Sequence, residues 1–477
     1  MPAHRSAAPA RRPPRRAAAG PSRDVALAVL RAVADRGAYA NLLLPALLAE
    51  RGLDGRDAAL ATELAYGTLR GRGAYDAVIA ACSTRALAGI DPPVLDVLRL
   101  GAHQLLATRI GPHAAVATSV TLARAAAGAG AAGFTNAVLR RVAGRDLDSW
   151  IAAVAPDRAA DPVGYLAVKT SHPAWIVTAV SEALGEEPAS GLPLTEVALD
   201  ANGTRPRVAL CATPGLATAA DLVAQGAQAA RWSPFGAYTD GGDPAGIPEV
   251  RQGRAAVQDE ASQLAALALT RAALGTAGTG TGDRRWLDLC AGPGGKARLL
   301  AGLASGRDAR LAAADAREHR ARLARAATAA TGASAAIVAD GTAPAWRPGS
   351  FDRVIADVPC SGLGALRRRP DARWRKSAAD VVALGPLQRA LLHSAIDAAR
   401  PGGVIAYVTC SPHIAETREV VGDVTAARDD VTVLDAPALL PEVPGLACPA
   451  PSGRYVQFWP HQHGTDAIFL ALLQRSG

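Results

Sequence analysis

The strongest constraint on this chain's fold is a change of hydrophobic period near residue 255. Beyond that point short apolar runs alternate with helical stretches: RWLDLC, ARLLAGLA, RLAAAD, REHRARLARAAT, AAIVAD, FDRVIADV, LLHSAIDAAR and GGVIAYVT. Strand–helix alternation of this kind builds a parallel sheet with helices on both faces. The end differs, because GRYVQFWP and DAIFLALLQR are consecutive strands around a His/Gly turn. The expected fold over 254–477 is therefore a Rossmann-like α/β domain. Its mostly parallel seven-stranded sheet closes on an antiparallel C-terminal hairpin.

Upstream the period is helical. From residue 24 to about 142, Val25, Val29 and Val33, then Val94, Val97, Leu98 and Leu105, then Val116, Val120 and Ala123, then Phe134, Val138 and Val142 recur on single helix faces. Asp24 is a candidate cap for the first of these helices. An all-helical domain is expected over 24–145. Between 146 and 253 the signal is mixed: SHPAWIVTAVSEALG reads as a helix, RPRVALC as a strand and FGAYTDGGDPAGIPEV as strand and loop. This stretch is expected to be a connector or small α+β module.

Residues 1–23 carry arginines and no acid, so they contribute much of the formal net charge of +8. A solvated, disordered basic tail is expected there, with an RNA-touching arm as the second reading and a transit peptide as the third. No apolar run is long enough to cross a bilayer, and a cytoplasmic protein is expected. The cysteines Cys82, Cys211, Cys290, Cys360, Cys410 and Cys448 lie far apart and form no CxxC pair. That pattern favours neither a disulfide scaffold nor a zinc site, so no metal is expected.

The first strand of the α/β region runs into WLDLCAGPGGKARLL, a Gly-rich loop that lets a ligand approach the backbone. Cys290 stands where a P-loop needs its first glycine, and Ala297 follows Lys296 where the metal-binding hydroxyl belongs. GxGxxG is absent too. The next two strands end at Asp315 and Asp340. The first of these acids is placed for ribose hydroxyls and the second for an adenine edge. Two acids without a phosphate clamp suit an adenosyl ligand with no phosphate and a positive sulfonium.

The fourth strand delivers Asp357 and Cys360 at its carboxyl end, and the fifth delivers Cys410. Neighbouring strands would turn both thiols into one crevice, where open α/β sheets bind ligands. Cys82, Cys211 and Cys448 are read as packing residues.

The catalytic half resembles the RNA cytosine-5 methyltransferases of the RsmB (Sun) type, through VQDEASQLAA, DLCAGPGGK, DVPCSGLGALRRRPDARW, YVTCS and WPHQHGTDAIFLALL. The helical domain resembles NusB, through GAYANLLL, ATELAYGTLRG, LRLGAHQLL and TNAVLRRV. The resemblance implies a class I methyltransferase domain behind an RNA-binding NusB-like domain, acting on small-subunit rRNA. It implies that Cys290, Ala291, Gly292, Pro293, Gly294, Gly295 and Lys296, with Asp315, Asp340 and Asp357, hold S-adenosylmethionine. It makes Cys410 the nucleophile and Cys360 the group that helps release product. The chain departs from the usual pattern at Gly292 and Val358, where alanine is more common. It departs again at Thr417, where asparagine often follows Glu416.

These residue types fit the chemistry. Cytosine C5 is a poor nucleophile until a thiolate adds at C6 and makes the ring an enamine. Charge growing toward N3 and O2 needs a proton donor or hydrogen bond, a task for which Asp357 is the candidate. The target base must leave its stack or lie in a loop. Arg367, Arg368, Arg369, Arg373, Arg375 and Lys376 follow the PC motif directly and are expected to grip RNA phosphates. Trp374 is either a stacking platform or a core residue. His461 and His463 are read as part of a structural turn. A monomer is expected. The other functions open at this stage are the same reaction on tRNA or another RNA, and a non-catalytic rRNA assembly factor.

Overall fold

A computed structural model describes residues 19–275, 282–449 and 453–476. The basic tail expected over 1–23 lies outside the described residues as far as residue 18. The chain divides into two compact units, Met1–Ala155 and Pro156–Gly477.

In the first unit, helices span Pro21–Arg36, Ala40–Glu50, Gly55–Arg70, Arg72–Cys82, Pro92–Ala107, Pro112–Val142 and Leu147–Val154. The first starts three residues before Asp24, because Pro21 supplies a φ already suited to a first helical position. Asp24 instead lies in the first turn, where its charge favours the helix dipole. The span Pro112–Val142 is two helices: Ala127 and Gly128 leave helical geometry, and Gly128 has φ 85° and ψ −169°. Val25, Val29, Val97, Leu64, Leu98 and Leu139 are fully or nearly fully buried, as their spacing requires. Each such burial stabilises by roughly 1.5–3 kcal/mol.

The second unit holds two sheets. The smaller orders β2 (Gln228–Ala229), β3 (Gly236–Thr239), β1 (Val208–Ala212) and β4 (Ala255–Val257), all antiparallel. Helices Pro162–Lys169, Ala174–Leu184 and Pro193–Gly203 precede it.

The larger sheet uses β5 (Arg285–Asp288), β6 (Arg310–Asp315), β7 (Ser334–Val338), β8 (Phe351–Asp357), β9 (Ala399–Thr409), β10 (Val431–Val433), β11 (Val456–Gln457) and β12 (Phe469–Arg475). Its path runs β10-β12-β9-β8-β5-β6-β7, with β11 paired to β12. The strands β5 to β9 are parallel, and β12 runs antiparallel to β9, β10 and β11.

Both faces of this sheet are covered, and alternate residues supply the two cores. Trp286, Ile355, Val404, Val408, Leu470 and Leu472 meet helices Glu260–Arg271 and Gly295–Ser305 on one face. Leu287, Val354, Ile405, Tyr407, Phe469 and Leu473 meet helix Ala378–Ala398 on the other. The order β9-β8-β5-β6 makes β5 the strand from which the chain winds outward in both directions. Its carboxyl end is the crevice where such sheets bind ligands.

Candidate active site

Asp357 ends β8, and its register partner on β9 is Val408. The chain leaves β8 three residues before Cys360 and leaves β9 just before Cys410, so the two loops open side by side. Their sulfurs lie 3.3 Å apart. Gly364 holds the loops together: its N–H donates to the Cys410 carbonyl at 2.8 Å, and its carbonyl accepts from Ala467 N–H at 2.9 Å. A Cβ at this position would sit 1.8 Å from the Ala467 carbonyl oxygen, so only glycine fits.

Glu416 joins the same loops from behind. It is fully buried. Its carboxylate accepts from Ser361 N–H at 2.6 Å, from the Ser361 hydroxyl, and from Gln388 Nε2 at 3.3 Å. Thr417, next to it, donates its hydroxyl to the His413 carbonyl at 2.9 Å and so closes the turn after Cys410.

Lys296, buried at the start of helix Gly295–Ser305, donates from Nζ to Asp357 Oδ2 at 2.8 Å. Burial works against its charge. Asp357, Cys410 and Asp288 more than offset that cost and hold the ammonium above the ordinary lysine value. The two thiols are pushed apart. Cys410 falls below the ordinary thiol value because Cys360 hydrogen-bonds to it, with Lys296 and Arg369 adding positive charge. Cys360 rises well above that value through the same hydrogen bond and through burial, with Glu416 and Asp357 adding negative charge.

The Gly-rich loop lies at the end of β5. Asp315 ends β6 beside it, accepting from Gly292 N–H at 3.1 Å and Arg317 N–H at 2.9 Å. Arg320 hydrogen-bonds to the Gly292 carbonyl, and its Nε lies 3.3 Å from Asp315. A Cβ on Gly292 would come 2.5 Å from Arg320 Cβ and 2.7 Å from Asp315 Oδ2. Glycine here, where alanine is more usual, is thus what admits Arg320 in its observed position. Asp340 is exposed at the rim, two residues past β7, and its carboxylate accepts from Thr342 N–H at 2.9 Å.

Two buried polar atoms by this loop lack a protein partner: Asp288 Oδ1 and Gln258 Nε2. Burial, and then the Asp357 charge, push the Asp288 carboxyl up to about 7. A buried acceptor of this kind wants a cationic donor, and the α-ammonium of a methionine moiety supplies one. The residues present therefore fit S-adenosylmethionine. Sequence reasoning passed over Asp288, although it ends its strand in the same way as Asp315.

The arginine cluster is largely internal, which corrects the expectation of a phosphate grip. Arg367 is 8 % exposed and pairs with Asp466 at 2.6 Å and Asp259 at 3.0 Å. Arg368 pairs with the same two acids at 3.0 and 2.7 Å. Arg373 is completely buried and donates to the Asn202 carbonyl at 2.7 Å and the Ser171 carbonyl at 3.3 Å. These guanidiniums already have carboxylate or carbonyl partners, and moving them to phosphates would strip buried acceptors. Arg375 pairs with Asp371 at 2.7 Å. Arg369 is exposed and Lys376 half-buried. His463 is structural, accepting from Trp459 N–H at 2.9 Å and lying 3.1 Å from the Pro444 carbonyl.

Among the described residues no group of three His, Cys, Asp or Glu is arranged to hold a metal ion. No helix among them is long and apolar enough to cross a membrane.

Comparison with known proteins adds independent findings. Residues 279–474 match the family model described as 16S rRNA methyltransferase RsmB/F, and residues 21–144 match that of the NusB family. Rv1407 of Mycobacterium tuberculosis, named for a methyltransferase, is 50% identical over 98% of this chain and 99% of its own length. The ribosomal RNA small subunit methyltransferase B of Pseudomonas putida is 32% identical over 94% of this chain and 98% of its own. Among solved structures, PH0851 superposes with a TM-score of 0.74 at 19% identity, covering 95% of this chain and 98% of that one.

Proposed function

The chain belongs to the ribosomal RNA small subunit methyltransferase B family, and from that premise we propose that it methylates C5 of a cytosine in 16S rRNA, of the cytosine-967 type, through a covalent bond from Cys410 to C6. The observation that carries this reading is the 3.3 Å approach of the Cys360 and Cys410 sulfurs beside the Lys296–Asp357 pair. Two thiols and an ion pair at the mouth of a Gly-rich loop match the needs of cytosine activation. S-adenosylmethionine supplies the electrophilic methyl group. Asp288, Asp315 and the loop residues 290–296 line its crevice, with Asp340 at the rim.

Cys410 is the nucleophile because its surroundings favour the thiolate. Its sulfur adds to C6, and the ring electrons move toward N3 and O2. The proton donor nearest to hand is the Lys296 ammonium, since Asp357 accepts from it. That assigns Asp357 the task of orienting Lys296, where the sequence alone suggested that Asp357 itself donates. The enamine then takes the methyl at C5. The C5 proton passes to a solvent base, N3 returns its proton to Lys296, the C6–S bond breaks, and the protonated Cys360 thiol hydrogen-bonds to the departing Cys410 thiolate.

Arg369, exposed and close enough to act on the Cys410 thiol, and Lys376 are the members of the basic run left to meet RNA phosphates. Residues 24–145 serve as the NusB-like RNA-binding domain, 146–253 as the connector and 254–477 as the catalytic domain, although helix Leu147–Val154 groups with the first unit and β4 pairs with β1 of the connector. The protein acts as a cytoplasmic monomer.

The test is methyl transfer from labelled S-adenosylmethionine to 16S rRNA and to tRNA transcripts, followed by bisulfite mapping. Label at a single 16S cytosine is expected. Label on tRNA alone overturns the substrate, and label on neither leaves the assembly-factor reading.

A further inference from the structure

Gln258 lies just after β4 and before helix Glu260–Arg271, upstream of the Gly-rich loop. Its backbone is fixed from several sides. Its N–H donates to the Ala209 carbonyl at 3.0 Å, and its carbonyl accepts from Gln263 Nε2 at 3.0 Å. Arg298, in the first turn of helix Gly295–Ser305, donates to the carbonyls of Gly253 at 3.1 Å and Ala255 at 3.0 Å. The side chain is only 8 % exposed, and its Nε2 has no partner. It is directed at the N-terminus of helix Gly295–Ser305: a Cβ on Gly295 would meet Gln258 Cδ at 3.7 Å and Nε2 at 3.8 Å. Leaving a buried amide without a partner is unfavourable, so packing alone does not place it there. Next to it are the N–H groups of a helix start, a setting that favours an anion.

We propose that Gln258 is a donor-binding residue whose side-chain amide, with the helix N-terminus at Gly295, holds the carboxylate of the methionine moiety of S-adenosylmethionine. Asp288, with its own unpartnered oxygen, receives the α-ammonium of the same moiety. The two residues then read opposite charges on one carbon. The inference rests on S-adenosylmethionine being the donor, and the ligands of the test separate the two ideas.

Titration calorimetry on the full chain compares S-adenosylmethionine with its decarboxylated analogue, which keeps the sulfonium and the amine. Wild type is expected to bind the analogue more weakly. Gln258→Leu is expected to weaken S-adenosylmethionine by roughly ten- to hundredfold and to leave the analogue unchanged. Gln258→Glu is expected to weaken S-adenosylmethionine further, by repulsion, again sparing the analogue. Unchanged analogue binding shows that the variants still fold. Equal loss for both ligands, or no loss for either, overturns the role of Gln258. Failure of wild type to bind either ligand overturns the donor itself.

Discussion

The loops that follow β8 and β9 are near copies of each other, each presenting a cysteine and then a serine. Cys360 and Cys410 lie 3.3 Å apart, and the Ser361 and Ser411 hydroxyls behind them are also 3.3 Å apart. Yet the two thiols are shifted in opposite directions. Glu416 closes the first loop from behind by binding Ser361, whereas Lys296 and Arg369 bring positive charge to Cys410. The split comes first from the hydrogen bond between the two sulfurs, and the charges that the flanking elements deliver add to it. Identical groups pushed apart in this way are suited to different tasks.

The largest effect should come from breaking the pair. Cys410→Ala is expected to lower turnover by roughly three or more orders of magnitude, measured as labelled methyl transfer. Cys360→Ala should also stop turnover while still consuming one equivalent of donor. A fully active Cys410→Ala enzyme would remove the basis of the comparison.

Gly364→Ala disturbs both loops without touching either sulfur. Its Cβ would have to displace the Ala467 carbonyl and lie 2.9 Å from the Cys410 carbonyl carbon. A nucleophile moved by about 1 Å costs on the order of a hundredfold in kcat. The same assay, paired with a thermal melt to show that the chain remains folded, measures it.

Lys296→Met removes the ammonium that favours the Cys410 thiolate. The lowered pKa of Cys410 means that its thiolate fraction persists below the ordinary thiol range and is lost as pH falls through the lowered value. Alkylation of Cys410 by iodoacetamide, followed against pH, should therefore shift to higher pH in the variant. The rate at neutral pH should fall by roughly three- to tenfold. Cys360, held protonated in wild type, should stay slow in both proteins.

The smallest effects distinguish the arginines beside the first loop. Arg369→Ala should change stability by no more than about 0.5 kcal/mol, while lowering the salt dependence of RNA binding by about one phosphate contact. Arg367→Leu should do the reverse. It leaves the buried Asp259 and Asp466 with Arg368 as their remaining arginine partner, costs roughly 3 kcal/mol in a urea melt, and leaves the salt slope unchanged.

The strand–helix alternation, the adjacency of the fourth and fifth strands with their two thiols, and the Gly-rich loop were legible in the sequence. They follow from period, from strand-end residues and from motif spacing, all of which are local signals. The surroundings of those residues were not legible, because they depend on partners far apart in the chain. Arg367 meets Asp259 and Asp466 at sequence separations of 108 and 99 residues, and no reading of RRRPDARW alone could show that its charges are spent internally. Gln258 and Glu416 were hidden for the same reason. β10 was missed because three residues carry too little pattern. Asp288 was the avoidable omission, since it ends β5 as Asp315 ends β6.

The most direct test is peptide mapping by mass spectrometry of the Cys360→Ala protein after incubation with 16S rRNA and S-adenosylmethionine. A nucleotide remnant covalently attached to the Cys410 peptide, stable to denaturing gels, is expected. A remnant on any other residue, or efficient turnover with no trapped species, would contradict it.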